Sequence, residues 1–264
     1  MKKGLVFLIL FGLILLSCKQ AEVNKEKTEQ DHLIMSVLWY QKSAEMRALY
    51  YQGFNLAKMR LNEKVLSLNS EAKKAVIVDI DETMLDNSPS EGKCIETGES
   101  FNSENWTQWT SKAAAKALPG AIEFSHFAES LGVEIFYISN RSVSEFEATL
   151  KNLQTEKFAY ADSDHLLLKE EDSSKKSRRE KVAKDYEILL LIGDNLGDFI
   201  EIFDDRSQNY GFELVDQFEK EFGDKFIILP NPMYGTWEKP FYNFKRDLSE
   251  SEKYKMRKSN IVSY

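Results

Sequence analysis

Ala75-Val76-Ile77-Val78-Asp79-Ile80-Asp81-Glu82-Thr83 is the stretch that decides the fold. Four consecutive apolar residues, three of them β-branched, run straight into an acidic cluster. An uninterrupted run of this kind reads as a strand buried on both faces, which is the signature of a parallel sheet rather than of a half-exposed hairpin. Residues two apart on a strand share a face. If the strand continues through Asp81, the carboxylates of Asp79 and Asp81 stand side by side at its tip. Like charges that close, and burial, raise carboxylate pKa values, so one group can attack while the other carries a proton. Alone, this acidic pair after an apolar run also fits a calcium loop or simple strand-end caps.

Outward from that strand the pattern repeats. Val133 to Ile138 is a second strand that ends at Ser139-Asn140-Arg141. His165 to Leu168 is a third, Ile188 to Ile192 a fourth that ends at Gly193-Asp194-Asn195, and Phe226 to Leu229 a fifth. Between them lie segments with helical character: Ala113 to Leu131, broken at Pro119-Gly120; Val143 to Leu153; and a basic helix from Lys175 to Lys184. Asp31 to Leu68 carries apolar residues at helical steps, with Gly53 as the expected bend. Asn87 to Thr110 is poor in apolar residues and reads as a long loop or small cap element. Strands alternating with helices predict an α/β fold, a doubly wound parallel sheet with helices on both faces. Its ligand site lies beyond the carboxyl ends of the strands.

The polar punctuation supplies the site. Asp194 and Asp198 sit four residues apart in Gly193-Asp194-Asn195-Leu196-Gly197-Asp198-Phe199. Carboxylates delivered by two strands are hard oxygen ligands suited to Mg²⁺, although an aspartate there can also cap a helix. Ser139 and Asn140 offer a hydroxyl and an amide to a phosphoryl oxygen, or a helix cap. One lysine of the basic run, turned inward, balances the carboxylates. Trp106, Trp109 and Tyr234 are aromatics in loop-like segments, where an exposed ring can stack on a nucleobase or simply fill a cap. His32, His126 and His165 are scattered, with no HxH, HExxH or RHG pattern around them.

The chain holds 35 Lys and Arg against 43 Asp and Glu, a net charge of −8 over 264 residues. That argues against a nucleic-acid polymer as partner, because such binding needs a basic surface. The amino terminus reads as an address. Met1-Lys2-Lys3 precedes an apolar run from Leu5 to Leu16 interrupted only by Gly12, then Ser17-Cys18. A basic start, a short apolar stretch and a small residue before the cut describe a secretory signal over 1–17, and a cysteine at the cut site resembles the bacterial lipobox. Cleavage there leaves 33 basic and 43 acidic residues, a balance of −10. Gln20 to Gln30 is polar and reads as a tether, so that 18–30 links an acylated Cys18 to the domain. With Cys18 acylated, Cys94 is the only remaining thiol, and an internal disulfide is excluded.

Taken together these motifs resemble the haloacid dehalogenase (HAD) superfamily, and within it the class C, lipoprotein-type acid phosphatases with four aspartates. Motif one is Asp79 to Asn87, motif two Ser139-Asn140-Arg141, motif three Leu166 through Arg178, and motif four Gly193 to Phe199. Glu104 to Trp109, Pro119 to Phe124, Pro230 to Gly235 and Tyr40 to Glu45 look like the same family. The resemblance implies one phosphatase domain over 31–264, its core about 71–86 and 119–232, with a smaller, mainly helical cap and N-terminal region. It implies that Asp79 attacks phosphorus and Asp81 serves as general acid and base, which predicts an acidic pH optimum. Mg²⁺ is expected on Asp79, Asp194 and the backbone carbonyl of Asp81, with Asp198 and Asn195 in support. Ser139 and Lys175, or Lys176 one position on, are expected to stabilise the phosphoryl oxygens, Asn140 to contact substrate, and Trp106 and Tyr234 to sandwich the base of a nucleoside 5′-monophosphate. Gly197 departs from the pattern, standing where relatives often carry a polar residue. Lys19 after Cys18 resembles lipoproteins sorted to the outer membrane of Gram-negative bacteria. A homodimer is left open.

Overall fold

The computed structural model describes residues 30–67 and 71–264. The expected signal segment, Cys18 and residues 19–29 of the expected tether lie outside the described residues. Gln30, at the tether's end, is buried and donates its side-chain amide to Ser100 Oγ at 2.9 Å.

The chain begins with two helices, α1 (Ile34–Lys42) and α2 (Ala44–Ser67). The break between them falls at Ser43, whose extended backbone ends α1 and whose hydroxyl accepts from Met46 N at 3.0 Å to cap α2. Gly53 does not split the segment. It lies within α2, where its missing side chain lets Leu229 pack close: a Cβ there would stand 2.5 Å from Leu229 Cδ2.

Strand β1 (Lys73–Val78) follows, then β2 (Leu85–Asp86), α3 (Ser88–Thr97), α4 (Ser103–Thr110), β3 (Lys116–Ala117) and α5 (Ala121–Ser130). The remainder is β4 (Val133–Ser142), α6 (Phe146–Thr155), β5 (Leu166–Lys169), α7 (Lys176–Ala183), β6 (Tyr186–Gly193), α8 (Phe212–Gln217), β7 (Phe226–Ile228) and α9 (Glu250–Ser259). Five strands form one sheet in the order β5-β4-β1-β6-β7, every pairing parallel. β1 therefore occupies the centre, as its uniform apolarity requires. Its residues alternate between two cores. Val76 and Val78 join Ile135, Tyr137, Leu190 and Ile192 against Tyr50 and Phe54 of α2 and Phe124 of α5. Ala75 and Ile77 face the other side, with Phe136, Ile138, Leu191, Phe199 and Phe203. Each buried Val or Ile contributes about 1.5–3 kcal/mol relative to exposure, so the central strand is where the sheet gains most.

Two segments differ from expectation. Asn87 to Thr110 is not a long loop but two short helices. α3 ends at Gly98, whose φ of +77° gives the left-handed turn that stops a helix, and α4 is capped by Asn102, which accepts from Asn105 N. The buried face of α3 consists of Ser88, Ser90, Glu91 and Cys94, so no apolar stripe marks it. Ala113 to Leu118 is not helical despite its alanines. Asn152 clamps both backbone groups of Ala115, at 3.0 and 2.8 Å, and Lys116–Ala117 pairs antiparallel with Leu85–Asp86. This small ribbon and α3–α4 form the cap beside the carboxyl edge of the sheet.

Candidate active site

The chain leaves the sheet immediately after β1. Asp79 still pairs through its N–H with Ile192 O, but Ile80 O then accepts from the N–H groups of Thr83, Met84 and Leu85, closing a tight turn. Glu82 adopts φ +57° within it, and Tyr50 of α2 donates its hydroxyl to the Glu82 carbonyl. The strand thus does not continue through Asp81, and the two carboxylates are not presented side by side in one extended run. The turn separates their surroundings.

Asp79 points into a cluster. Its carboxylate oxygen, one from Asp194 and one from Asp198 all lie within 4.8 Å of one another. Lys175, the residue before α7, ion-pairs with Asp79 Oδ1, and its ammonium lies 2.7 Å from Asp198 Oδ1. Lys176 faces outward and pairs with Glu201 at 2.8 Å. Asp198 also accepts from Asn195 N at 2.9 Å, which caps the turn after β6. Gly193 makes this approach feasible, since a Cβ there would stand 2.3 Å from Asp198 Oδ2. Asp194 is oriented by Asn231 Nδ2 at 2.9 Å and Thr83 Oγ1 at 3.4 Å.

Burial pushes the Asp79 carboxyl up to about 7; Lys175 opposes the rise, and Asp198 and Asp81 add to it. Burial, then Asp198 and Asp79, likewise raise Asp194 well above the ordinary carboxylate range. Burial works against the charge of Lys175, yet Asp198 and Asp79 outweigh it and raise its pKa. Three carboxylates around one ammonium leave a local excess of negative charge that a divalent cation would neutralise, and all the donors are hard oxygens. The residues present therefore fit Mg²⁺ or a similar ion.

Asp81 turns the other way. Ser139 Oγ donates to its Oδ2 at 3.0 Å and Asn87 Nδ2 to its Oδ1 at 2.8 Å. Arg141 reaches the same Oδ1 through Nε at 2.9 Å and Nη2 at 2.8 Å. Its carboxylate stands outside the cluster of Asp79, Asp194 and Asp198. Ser139 is fully buried on β4, which runs on to Ser142 rather than stopping at Ile138. Arg178 of α7 grips the Ser139 carbonyl at 2.5 Å and Asn140 Oδ1 at 2.7 Å, so the Asn140 amide oxygen is engaged by protein.

A cavity of about 650 Å³ opens over this edge, lined by Asp79, Asp81, Lys175, Asp194 and Asp198 on the sheet side. Glu91, Phe101 and Trp106 line it from the cap, Tyr234 from the segment after β7, and Asn140, Arg141 and Asn195 also line it. Asn195 accepts from Thr236 Oγ1 at 2.5 Å and Arg206 Nη2 at 3.1 Å. Trp106 lies under the Arg141 guanidinium, 5.6 Å from ring centre to Cζ. Trp109 is instead a packing residue whose indole N–H is tied to Asn87 Oδ1 at 2.8 Å. His126 and His165 are bound to Glu129 and to Asp162 and Glu134, and neither lines the cavity.

Asn87, Arg141 and Asn231 fall within the motifs and family-like segments of the sequence without a task assigned to them, and Glu91 stands in none. For Arg141 a signal existed: an arginine entering a strand end in an apolar context needs a buried acidic partner. Glu91 had none, because α3 carries no periodicity.

The chain has relatives of known family and fold. The sequence model of the HAD superfamily, subfamily IIIB (acid phosphatase), matches residues 15–237. The class C acid phosphatase from Bacillus anthracis superimposes with a TM-score of 0.85 at 41% identity, covering 90% of this chain and 99% of that one. The form of the same phosphatase with tungstate bound gives 0.84 at 42% identity, over 89% and 98%. Among curated proteins, the Glycine max stem 28 kDa glycoprotein is 31% identical over 142 residues, 50% of this chain and 55% of its own length. A stem 31 kDa glycoprotein of that plant is 29% identical over 164 residues, 60% of this chain and 58% of its own. The chain thus spans little more than half the length of those curated relatives. With the parallel sheet and the family match in agreement, the chain belongs to the acid phosphatases of HAD subfamily IIIB.

Proposed function

We propose that this protein is a Mg²⁺-dependent acid phosphatase that hydrolyses phosphomonoesters, nucleoside 5′-monophosphates foremost, through an aspartyl-phosphate on Asp79. One observation carries the reading: Asp79, Asp194 and Asp198 converge with Lys175 in a cavity that Phe101, Trp106 and Tyr234 also line. The tungstate found in the Bacillus anthracis relative is a tetrahedral oxyanion, the shape a phosphoryl group has.

In this reading an Asp79 oxygen forms the new bond to phosphorus as the ester P–O bond breaks. Asp81, held by Arg141, Asn87 and Ser139, gives its proton to the departing alkoxide and later takes one from the water that cleaves the acyl phosphate. Lys175 bears on the equatorial oxygens, where most of the charge to be stabilised resides, and the Ser139 hydroxyl, which donates to Asp81, would have to turn from it to share that task. Asp79, Asp194 and the backbone carbonyl of Asp81 would hold the cation, with Asp198 and Asn195 in support. A bound Mg²⁺ supplies charge neutralisation on the phosphoryl group and keeps Asp79 ionised despite its burial. Trp106 and Tyr234 offer faces to a base.

Lys19 and the lipobox ending in Cys18 support a lipid-anchored envelope protein, facing the outer membrane of a Gram-negative bacterium. Fatty-acid labelling of wild type and Cys18→Ser in cells tests that part.

The catalytic reading is tested with the soluble 18–264 form bearing Cys18→Ser. Phosphate release must require added Mg²⁺, stop with chelator and return with metal. Wild-type turnover in Asp79→Asn would remove Asp79 as nucleophile.

A further inference from the structure

Glu91 is an anomaly in the cavity wall. The residue is 6% exposed and lines the cavity, yet among the described residues nothing donates a hydrogen bond to its carboxyl and no cation pairs with it. Among the described residues other buried carboxylates have at least one protein partner, although one oxygen of Glu82 has none. Glu145 accepts from Thr110 Oγ1 at 2.6 Å and Ser142 N at 2.8 Å, and Asp198 holds Lys175 and Asn195 N. Glu91 faces another acid instead, Glu238, and burial together with that neighbour pushes it up to about 7. The Glu91 oxygens are not among the fully enclosed unpartnered atoms, so the carboxyl opens on the cavity, where a ligand donor can reach a group that no protein donor occupies. Such a group in a binding pocket rejects analogues that lack the matching donor.

The position indicates which part of the ligand it meets. Glu91 belongs to the α3–α4 wall with Phe101 and Trp106, whereas Asp79, Lys175 and Asp194 come from the sheet side. It therefore faces the alcohol half of a phosphomonoester rather than its phosphoryl group.

We propose that Glu91 is a specificity-determining residue that hydrogen-bonds an O–H or N–H donor on the substrate's leaving group, so that monophosphates carrying that donor are hydrolysed in preference to those lacking it. This rests on the phosphatase reading above and extends it. A ribose hydroxyl and a base amine share the required chemistry.

The test is a kcat/KM series with the full chain in detergent and Mg²⁺. Its substrates are adenosine 5′-monophosphate, its 2′-deoxy and 3′-deoxy analogues, purine-riboside 5′-monophosphate without the amine, and phenyl phosphate without any donor. The expected result is a loss of at least tenfold for the one analogue missing the donor that Glu91 reads, which also identifies the source. Glu91→Leu brings that ratio within about threefold of unity, and Glu91→Gln, which keeps an acceptor oxygen, retains much of it. The proposal is overturned if all three analogues stay within threefold of the parent nucleotide, or if the discrimination persists unchanged in Glu91→Leu. Should Glu91→Leu fail to fold, the wild-type series and Glu91→Gln still decide. Turnover of phenyl phosphate with no discrimination rejects Glu91 alone; no turnover of any substrate rejects the phosphatase reading beneath it.

Discussion

Arg141 holds Asp81 by two nitrogens on one oxygen, Nε at 2.9 Å and Nη2 at 2.8 Å, and does so almost wholly buried. The same guanidinium reaches Asn87 Oδ1 at 3.2 Å and Thr149 Oγ1 at 3.2 Å. It therefore fixes the cap, through Asn87, and the proposed proton donor in one network. Arg141 is buried but Asp81 opens on the cavity, so removing the guanidinium forfeits charge-assisted hydrogen bonds without stranding a buried charge, a loss of about 1.5–3 kcal/mol. Arg141→Met should show that loss in urea unfolding. It should also lower kcat by about 10- to 100-fold, a part of what a positioned general acid contributes. An unchanged kcat at normal stability would separate Arg141 from Asp81's function.

Gly193 offers a steric test of the same edge. An alanine Cβ would collide with Asp198, the carboxylate that holds Lys175 and caps the turn. Gly193→Ala should cost about 1–3 kcal/mol, the usual range for overpacking, and displace Asp198 enough to depress turnover. Gly92→Ala is the control. A Cβ there meets only Gln41 Nε2, at 3.8 Å, and the helical position should gain about 0.5–1 kcal/mol. Thermal melts and initial rates on both variants check the contrast.

What could be read beforehand follows the physics of burial. β1 is covered on both faces, so Ala75 to Val78 had to be continuously apolar, and the acidic residues beyond it stood out. The turn at Ile80 was not legible, because it is set by three amides converging on one carbonyl and by Tyr50 from another element. α3 was not legible either, since its buried face is polar and reads as loop. The alanines before Pro119 have high helix propensity, but the Asn152 clamp overrides it. Function was more legible than local structure here: paired aspartates are few and chemically specific, whereas tertiary hydrogen bonds leave no spacing behind.

Trp106 and Tyr234 line the same cavity as the aspartates, and Arg141 lies over the Trp106 ring. If their faces bind a base, each substitution to alanine removes one stacking surface, worth about 1–3 kcal/mol. The KM for adenosine 5′-monophosphate should then rise by roughly 5- to 100-fold in Trp106→Ala and in Tyr234→Ala. Phenyl phosphate and small sugar phosphates, which span less of the cavity, should be affected less. Equal losses across the panel would assign the rings to packing of the cap.

Glu91 also predicts a pH dependence of stability, apart from any substrate. In the unfolded chain its carboxyl titrates near 4.5, and in the folded protein burial and Glu238 push it up to about 7. Between those values the folded state binds more protons than the unfolded one, so stability falls as pH rises. Below about 4.5 both states are protonated and the penalty vanishes; above about 7 it is fully present, on the order of 3 kcal/mol. Glu91→Gln removes the titration. Relative to wild type, that variant should gain stability at pH 8 and gain little at pH 4, measured by urea unfolding of the metal-free protein. An equal difference at both pH values would mean that Glu91 ionises as freely in the fold as in the open chain, and would overturn the shift that its burial beside Glu238 implies.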